Sequence, residues 1–432
     1  MRLAEIAVST QRILRRRWRM AFLLAFGVVI GFFDRINLAV SEHALHESFG
    51  ISLIAFGYLS SAFSWSYALM QVPSGMLLDR FGVRRIGRVT TCLWSAASFL
   101  AALSPGLGTF FSARLLLGVA EAPTFPANAK AIGYWFPERE RSLAIAITDA
   151  AAKFSSAIGV PFLGVLLLYF GWRYTFAATG LLSLLYFGLF YWLYRNPEED
   201  SGLSPEELRH IEAGRASTAG AGQARKRVSL GHLLTQQKVW GLALGWGAYN
   251  YSFYLLLNWL PTYLSIAHHM DLLHSAFYTA APWLLATVTD LAVGGWLVDV
   301  LIQRGWNADA VRRAVLLVGT GFGLAIFGAV HPHSAAEALV WVSVALGGLA
   351  AAAPVAWTVP SLIAPRESVG TLASIANLSG QLAAISAPII TGYIVTATHS
   401  FASAFVTAAV ILCLGIFGYG VLLGPIEPIG AE

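Results

Sequence analysis

The sequence predicts an all-α integral membrane protein: twelve transmembrane helices in two pseudo-symmetric bundles of six. Three observations carry that expectation. Of the 432 residues, 57% are hydrophobic and only 12% charged, against about 25% charged in an ordinary soluble domain. A water-soluble chain this apolar would lack the polar surface to cover itself, whereas lipid-facing side chains need none. Twelve apolar runs of spanning length follow one another, and one long hydrophilic stretch, residues 195–238, divides them six and six.

A helix crosses a bilayer with roughly 20 apolar residues. The runs place spans 1 to 6 at 20–41, 54–78, 86–104, 107–134, 142–168 and 173–194. Spans 7 to 12 fall at 239–265, 274–302, 312–331, 336–363, 369–395 and 400–424. They are too long and too evenly apolar for the short alternating strands of a barrel. The arginine-rich stretch before span 1 runs into it with no convincing cleavage site, so span 1 is expected to stay in the protein. Cys92 and Cys413 lie far apart within apolar runs and are expected to be small core hydrophobes, not a disulfide or a metal site.

The organisation is therefore residues 1–194, a six-helix bundle; 195–238, a linker; and 239–432, a second six-helix bundle. Within the linker, Ser204-Pro205-Glu206-Glu207 reads as a helix start, with a Ser cap, Pro at the first position and Glu three after the cap. That short helix is expected to run to about Ala213, before the small flexible residues 216–224. The two halves echo one another. Gly75-x-x-x-Asp79 after span 2 matches Gly295-x-x-x-Asp299 at the close of span 8. The segment from Pro137 to Ala144 after span 4 matches the one from Pro365 to Ala373 after span 10. Paired halves meeting at a midplane site are a transporter architecture.

Lysine and arginine collect at one end. Arg80, Arg84, Arg85 and Arg88 follow span 2; Arg139 and Arg141 follow span 4; Arg304, Arg312 and Arg313 follow span 8. The opposite loops hold only Arg173. The positive-inside rule then expects both termini in the cytoplasm, which an even number of crossings requires. The net charge of +5 thus reports topology and not nucleic-acid binding. Eight of the ten histidines (43, 46, 268, 269, 274, 331, 333 and 399) map to the other end. Spread over four loops, they are expected to be solvated and not a metal site.

Ionisable side chains at membrane depth are costly, so they usually face a cavity and have a task. Removing loop charges leaves Asp34, Arg35, Arg114, Glu121 and Lys153, with Lys130, Asp149 and Asp290 less central. Asp34 and Arg35 are helix neighbours pointing about 100° apart, so each must find its own partner. Arg114 and Glu121, seven apart, share one face roughly 10 Å apart, too far for a direct pair. Two acids and two arginines are near neutral when the acids are ionised, and attract an anion once the acids are protonated. Proton coupling to an anionic substrate is built this way. Lys153 is open to two readings: a seat for a second carboxylate, or an i,i+4 partner of Asp149.

These residues carry a family resemblance. Gly75-x-x-x-Asp79-Arg80-x-Gly82-x-Arg84-Arg85 resembles the loop 2–3 signature of the major facilitator superfamily. It implies a gate in which Gly75 and Gly82 permit close approach while Asp79, Arg80, Arg84 and Arg85 tie helix ends. Within that superfamily the chain resembles the anion:cation symporter family of organic-anion and sugar-acid permeases. The matching pieces are Phe33-Asp34-Arg35-Ile36-Asn37 in span 1, Ser64 to Gly75 in span 2, Arg114 to Pro126 in span 4 and Asn258-Trp259-Leu260-Pro261 in span 7. The resemblance implies a monomeric, proton-driven importer of organic carboxylates in the inner or plasma membrane. Asp34 and Glu121 would be the protonatable acids, and Arg35 the substrate or acid partner. Arg114, Tyr67, Trp357 and Asn377 would line the cavity. Phe32-Phe33, Ala151-Ala152 and Pro354-Val355-Ala356 stand where sugar-acid members tend to carry polar groups. Each desolvated hydroxyl needs a partner, which shifts the expectation towards a less hydroxylated carboxylate. A proton-antiport exporter shares the fold but suits a cavity without two buried arginines. No zinc-protease motif, phosphate loop or nucleophile–base set is visible, so neither enzyme chemistry nor a cofactor is expected.

Overall fold

The structure is a computed structural model that describes residues 16–219, 230–364 and 368–429. Arg12 and Arg15, residues 220–224 of the flexible stretch, and the opening of the second-half motif at Pro365 lie outside the described residues. The side chain of Arg139 does too.

Helices α1 (Arg16–Val40), α2 (Glu42–Phe49), α3 (Leu53–Ala102), α4 (Leu107–Glu121), α5 (Thr124–Trp135) and α6 (Glu138–Leu193) form the first half. A linker helix α7 (Pro205–Ala219) and a short α8 (Leu230–Thr235) follow. The second half holds α9 (Gln237–His268), α10 (Leu272–Thr289), α11 (Val298–Gln303), α12 (Ala308–Gly323), α13 (Ala335–Ile363), α14 (Val369–Thr398) and α15 (Ala402–Phe417). Span 4 is α4 plus α5, and span 8 is α10 plus α11 joined by a π-helical turn at Asp290–Leu297.

The 50-residue α3 and the 56-residue α6 are each two crossings. Each contains one glycine in a conformation that side chains avoid: Gly82 at φ +76° and Gly171 at φ +77°. The packing demands a reversal there. Arg114 of span 4 lies over the Phe63 ring, and Trp94 donates to the Ala120 carbonyl of the same span. In a straight helix Phe63 and Trp94 would stand roughly 46 Å apart. Likewise Ser155 donates to the Val29 carbonyl while Tyr186 packs on Phe26, both on span 1. Among the described residues twelve crossings result, within several residues of the expected boundaries. One expectation is corrected: Cys92 and Cys413 are exposed. A lipid-facing surface welcomes small apolar groups, so an apolar run does not by itself place a residue in the core.

Ser204 caps α7 through its Oγ, which accepts from the Glu207 amide at 3.1 Å. The helix is docked, with Glu207 buried beside Arg17 at 3.5 Å and Arg17 also bonded to Glu140 at 2.8 Å.

The halves meet along spans 2 and 11 and along spans 5 and 8. At the histidine-rich end they interlock. A Cβ at Gly57 would lie 2.6 Å from the Pro388 carbonyl, and one at Gly392 would lie 2.7 Å from that of Leu53. Tyr58 and Tyr393 hydroxyls bond across the same seam at 3.3 Å. At the arginine-rich end a Cβ on Gly75 would meet nothing within 4 Å, and the neighbouring Met76 is 69% exposed. The molecule is closed at its histidine-rich end and open at its arginine-rich end. Gly57→Val therefore overpacks the closed seam, an effect of about 1–3 kcal/mol. It should raise thiol labelling of a cysteine placed at Phe56; unchanged labelling would show that the seam is not held by this contact.

Candidate functional site

Four of the predicted ionisable groups converge at mid-depth between spans 1 and 4. Asp34, Arg35, Arg114 and Glu121 are all at most 7% exposed. The expectation that Asp34 and Arg35 diverge holds. Arg35 points to Glu121, with Nε 2.7 Å and Nη2 2.6 Å from the same Oε2. Among the described residues, Glu121 Oε1 has no hydrogen-bond partner. Asp34 turns instead to small hydroxyls: Ser98 donates to Oδ1 at 2.6 Å and Ser183 to Oδ2 at 2.8 Å. Arg114 Nη1 donates to the Asp34 main-chain carbonyl at 3.0 Å, so the two meet through the backbone and not as an ion pair.

Aromatic rings enclose Arg35. Its guanidinium carbon lies 4.7 Å from the Phe32 ring, 4.5 Å from Phe63 and 5.3 Å from Tyr67. Such faces favour a cation without competing for its N–H donors. From span 7, Tyr254 lies beside Arg35 and Glu121. This brings a second-half residue onto the first-half cluster. Sequence reading missed it, because a tyrosine in an apolar run carries no charge signal. Ser98 and Ser183 were missed for a similar reason: a hydroxyl in a helix can satisfy itself on its own backbone.

The remaining predicted residues spread outward. Tyr67 lies against Arg35 and next to Gln71. Asn377 Nδ2 donates to Gln71 Oε1 at 3.4 Å, linking span 11 to span 2. Trp357 stands apart, 47% exposed, edge-on to Trp246 at 4.8 Å. Lys153 is not in the Arg35 cluster. It pairs with Asp149 at 2.6 Å, the i,i+4 reading, and also with Asp290 of span 8 at 2.5 Å.

The loop motif lies at the open end. Asp79 pairs with Lys130 of span 4 at 2.6 Å, and the same ammonium donates to the Leu78 carbonyl at 3.0 Å. Arg84 pairs with Glu199 at 2.5 Å, Arg80 stacks on Phe81, and Arg85 is exposed. Gly82 supplies the reversal, and Gly75 stands in open space. Of the motif's two ion pairs, Asp79–Lys130 lies within the first half and Arg84–Glu199 reaches the start of the linker.

Comparisons with known proteins bear on the family and the fold. Residues 20–308 match the model of the Major Facilitator Superfamily. The chain is 38% identical to an uncharacterized transporter, YybO, of Bacillus subtilis, over 98% of this chain and 99% of that one. It is 29% identical to the D-galactonate transporter of Escherichia coli, over 99% and 100% of the two chains. Among solved structures it resembles a bacterial homolog of the human lysosomal transporter Spinster in an inward-facing, unoccupied conformation. The TM-score is 0.74 at 19% identity, covering 95% of this chain and 97% of that one. At that identity the likeness speaks for the fold alone. The resemblance drawn from spans 1, 2, 4 and 7 is borne out by relatives named as a D-galactonate transporter and, at 30% identity, a probable galactarate/D-glucarate transporter of Bacillus subtilis. With fold, crossings and relatives in agreement, the chain belongs to the Major Facilitator Superfamily of membrane transporters.

Proposed function

We propose that this transporter is a proton-coupled symporter that imports an organic carboxylate by alternating access. The observation that carries the reading is the buried Arg35–Glu121 pair at mid-depth, with rings around the cation. While Glu121 is ionised it takes the Nε and Nη2 donors of Arg35 and neutralises its charge, which disfavours an anion there. A proton on Glu121 removes its charge and frees the guanidinium, whose planar fork matches a carboxylate. Proton and anion then enter together, each offsetting the charge of the other. Asp34 is the second protonatable acid, linked to the first through Arg114. Tyr67, Tyr254, Gln71 and Asn377 supply polar contacts for the rest of the substrate.

In this reading residues 1–194 and 239–432 are the two rocking halves, and 195–238 is their connection. The arginine-rich end faces the cytoplasm, as do both termini, in the inner or plasma membrane. The open state described above is then the one that exchanges with the cytoplasm. Asp79–Lys130 and Arg84–Glu199 shape that mouth. The relative named for D-galactonate supports an organic acid as cargo, while Ala151, Ala152 and Val355 are buried apolar groups that offer hydroxyls no partner. A proton-antiport exporter remains the competing reading, and the direction of the driving gradient separates the two.

Two tests follow from the pair. Glu121→Gln leaves Arg35 as a buried cation without its counter-charge, a loss of about 3–5 kcal/mol. Thermal unfolding in detergent should fall for that variant and recover largely in the Arg35→Met, Glu121→Gln double variant. An unchanged melting temperature in the single variant would mean that the pair contributes nothing to the fold. In proteoliposomes, radiolabelled D-galactonate, benzoate and succinate should be compared with the lumen made alkaline or acidic. An alkaline lumen should drive accumulation of at least one of them, and Asp34→Asn with Glu121→Gln should abolish the drive. Uptake that ignores the gradient, or full coupling in that double variant, would sink the symport claim. Accumulation only with an acidic lumen would favour the exporter.

A further inference from the structure

Three charged groups at membrane depth take no part in the Arg35–Glu121 cluster. Lys153 Nζ lies 2.6 Å from Asp149 Oδ2, one turn earlier on span 5, and 2.5 Å from Asp290 Oδ2 on span 8. The Lys153 and Asp290 side chains are each 4% exposed, and that of Asp149 is 27% exposed. From span 7, Tyr249 faces all three. The Asp34, Arg35, Arg114 and Glu121 set balances to zero. This triad does not: two carboxylates share one ammonium, leaving one surplus negative charge in a buried place.

Its position gives that surplus a consequence. Asp149 and Lys153 belong to the first half and Asp290 to the second, so the triad bridges the seam between spans 5 and 8. It does so while the arginine-rich end stands open. The backbone marks the same spot, because span 8 leaves α-helical geometry at Asp290, where the π-helical turn Asp290–Leu297 begins. Such widened turns tend to sit at functional positions and can shift register more readily than regular helix. Asp149, the least buried member, offers a path from solvent.

The geometry points to a second proton-binding site, in which a proton taken by Asp290 cancels the surplus charge, loosens the hold of Lys153 on span 8, and frees the seam to open at the histidine-rich end. The step is a simple protonation: a carboxylate oxygen gains a proton from hydronium in the open mouth, leaving water, and the ion pair to Lys153 becomes a contact between an ammonium and a neutral acid. Lys153 keeps Asp149 as its partner, so no bare charge is left behind. The site stands independently of the symport reading, since it links a proton to the seam whatever Glu121 does.

The test is a distance measurement between the two halves on the full chain in lipid nanodiscs. With Cys92 and Cys413 replaced by serine, spin labels go on Leu168→Cys and Phe277→Cys. These are exposed positions (49% and 56%) at the histidine-rich ends of spans 5 and 8. On this background, acidification should shift the distribution towards longer distances. Asp290→Asn should hold the long-distance population at alkaline pH, raising its ratio to the short one about tenfold, and should no longer respond to pH. Asp290→Glu should restore the response. Asp34→Asn with Glu121→Gln should retain it. If Asp290→Asn does not fold, Asp149→Asn removes the same surplus charge and should show the same loss of pH response. The site is overturned if Asp290→Asn keeps the background's response, if the Asp34, Glu121 double variant loses it, or if no distance responds to pH. Gradient-driven uptake with a pH-insensitive seam would sink this site and leave the symporter standing. A pH-responsive seam with gradient-insensitive uptake would do the reverse.

Discussion

A charge inside a bilayer must be matched or neutralised, and that constraint organises this molecule. Arg35 cannot stand alone at mid-depth, so Glu121 must be brought to it from another span. Bringing it there requires spans 1 and 4 to pack closely. Spans 3 and 6 then close around Asp34, supplying Ser98 and Ser183. The first half is thereby ordered around a neutral polar core, and its hydrophobic surfaces are free to face lipid. Among the described residues, the second half contributes Tyr254 to the same cluster but no cation or carboxylate.

The seams between halves follow a different rule. There the driving term is packing, since apolar surface gains little by leaving lipid. Gly57 and Gly392 let spans 2 and 11 touch backbone to backbone at one end, while Gly75 faces open space at the other. A rigid-body rock that exchanges these two conditions changes few contacts inside either half. Tyr58–Tyr393 and Asn377–Gln71 add hydrogen bonds across spans 2 and 11, and Lys153–Asp290 adds an ionic bridge across spans 5 and 8.

Much of this was legible in the chain. Spanning runs, the hydrophilic divide and the arginine asymmetry are properties of composition along the sequence, and the lipid environment makes composition nearly decisive. The buried charges were equally plain, because an arginine among leucines has no bland explanation in a membrane. Helix periodicity even separated Asp34 from Arg35. What escaped were groups whose chemistry does not stand out in an apolar run: Ser98, Ser183 and Tyr254. The cysteines misled for the converse reason, since in lipid an apolar residue is at home on either side of a helix.

By itself, the sequence determined the number of crossings, their division into halves, and which side chains had to find partners. Those follow from hydrophobic length and the cost of burying charge, which are local quantities. Only the tertiary structure decided who the partners are. Arg35 takes Glu121 from span 4, and Lys153 takes Asp149 and also Asp290, from the opposite half. It also decided which end of the molecule is closed. Pairings between distant spans depend on helix rotation and depth, and no single stretch of chain encodes either.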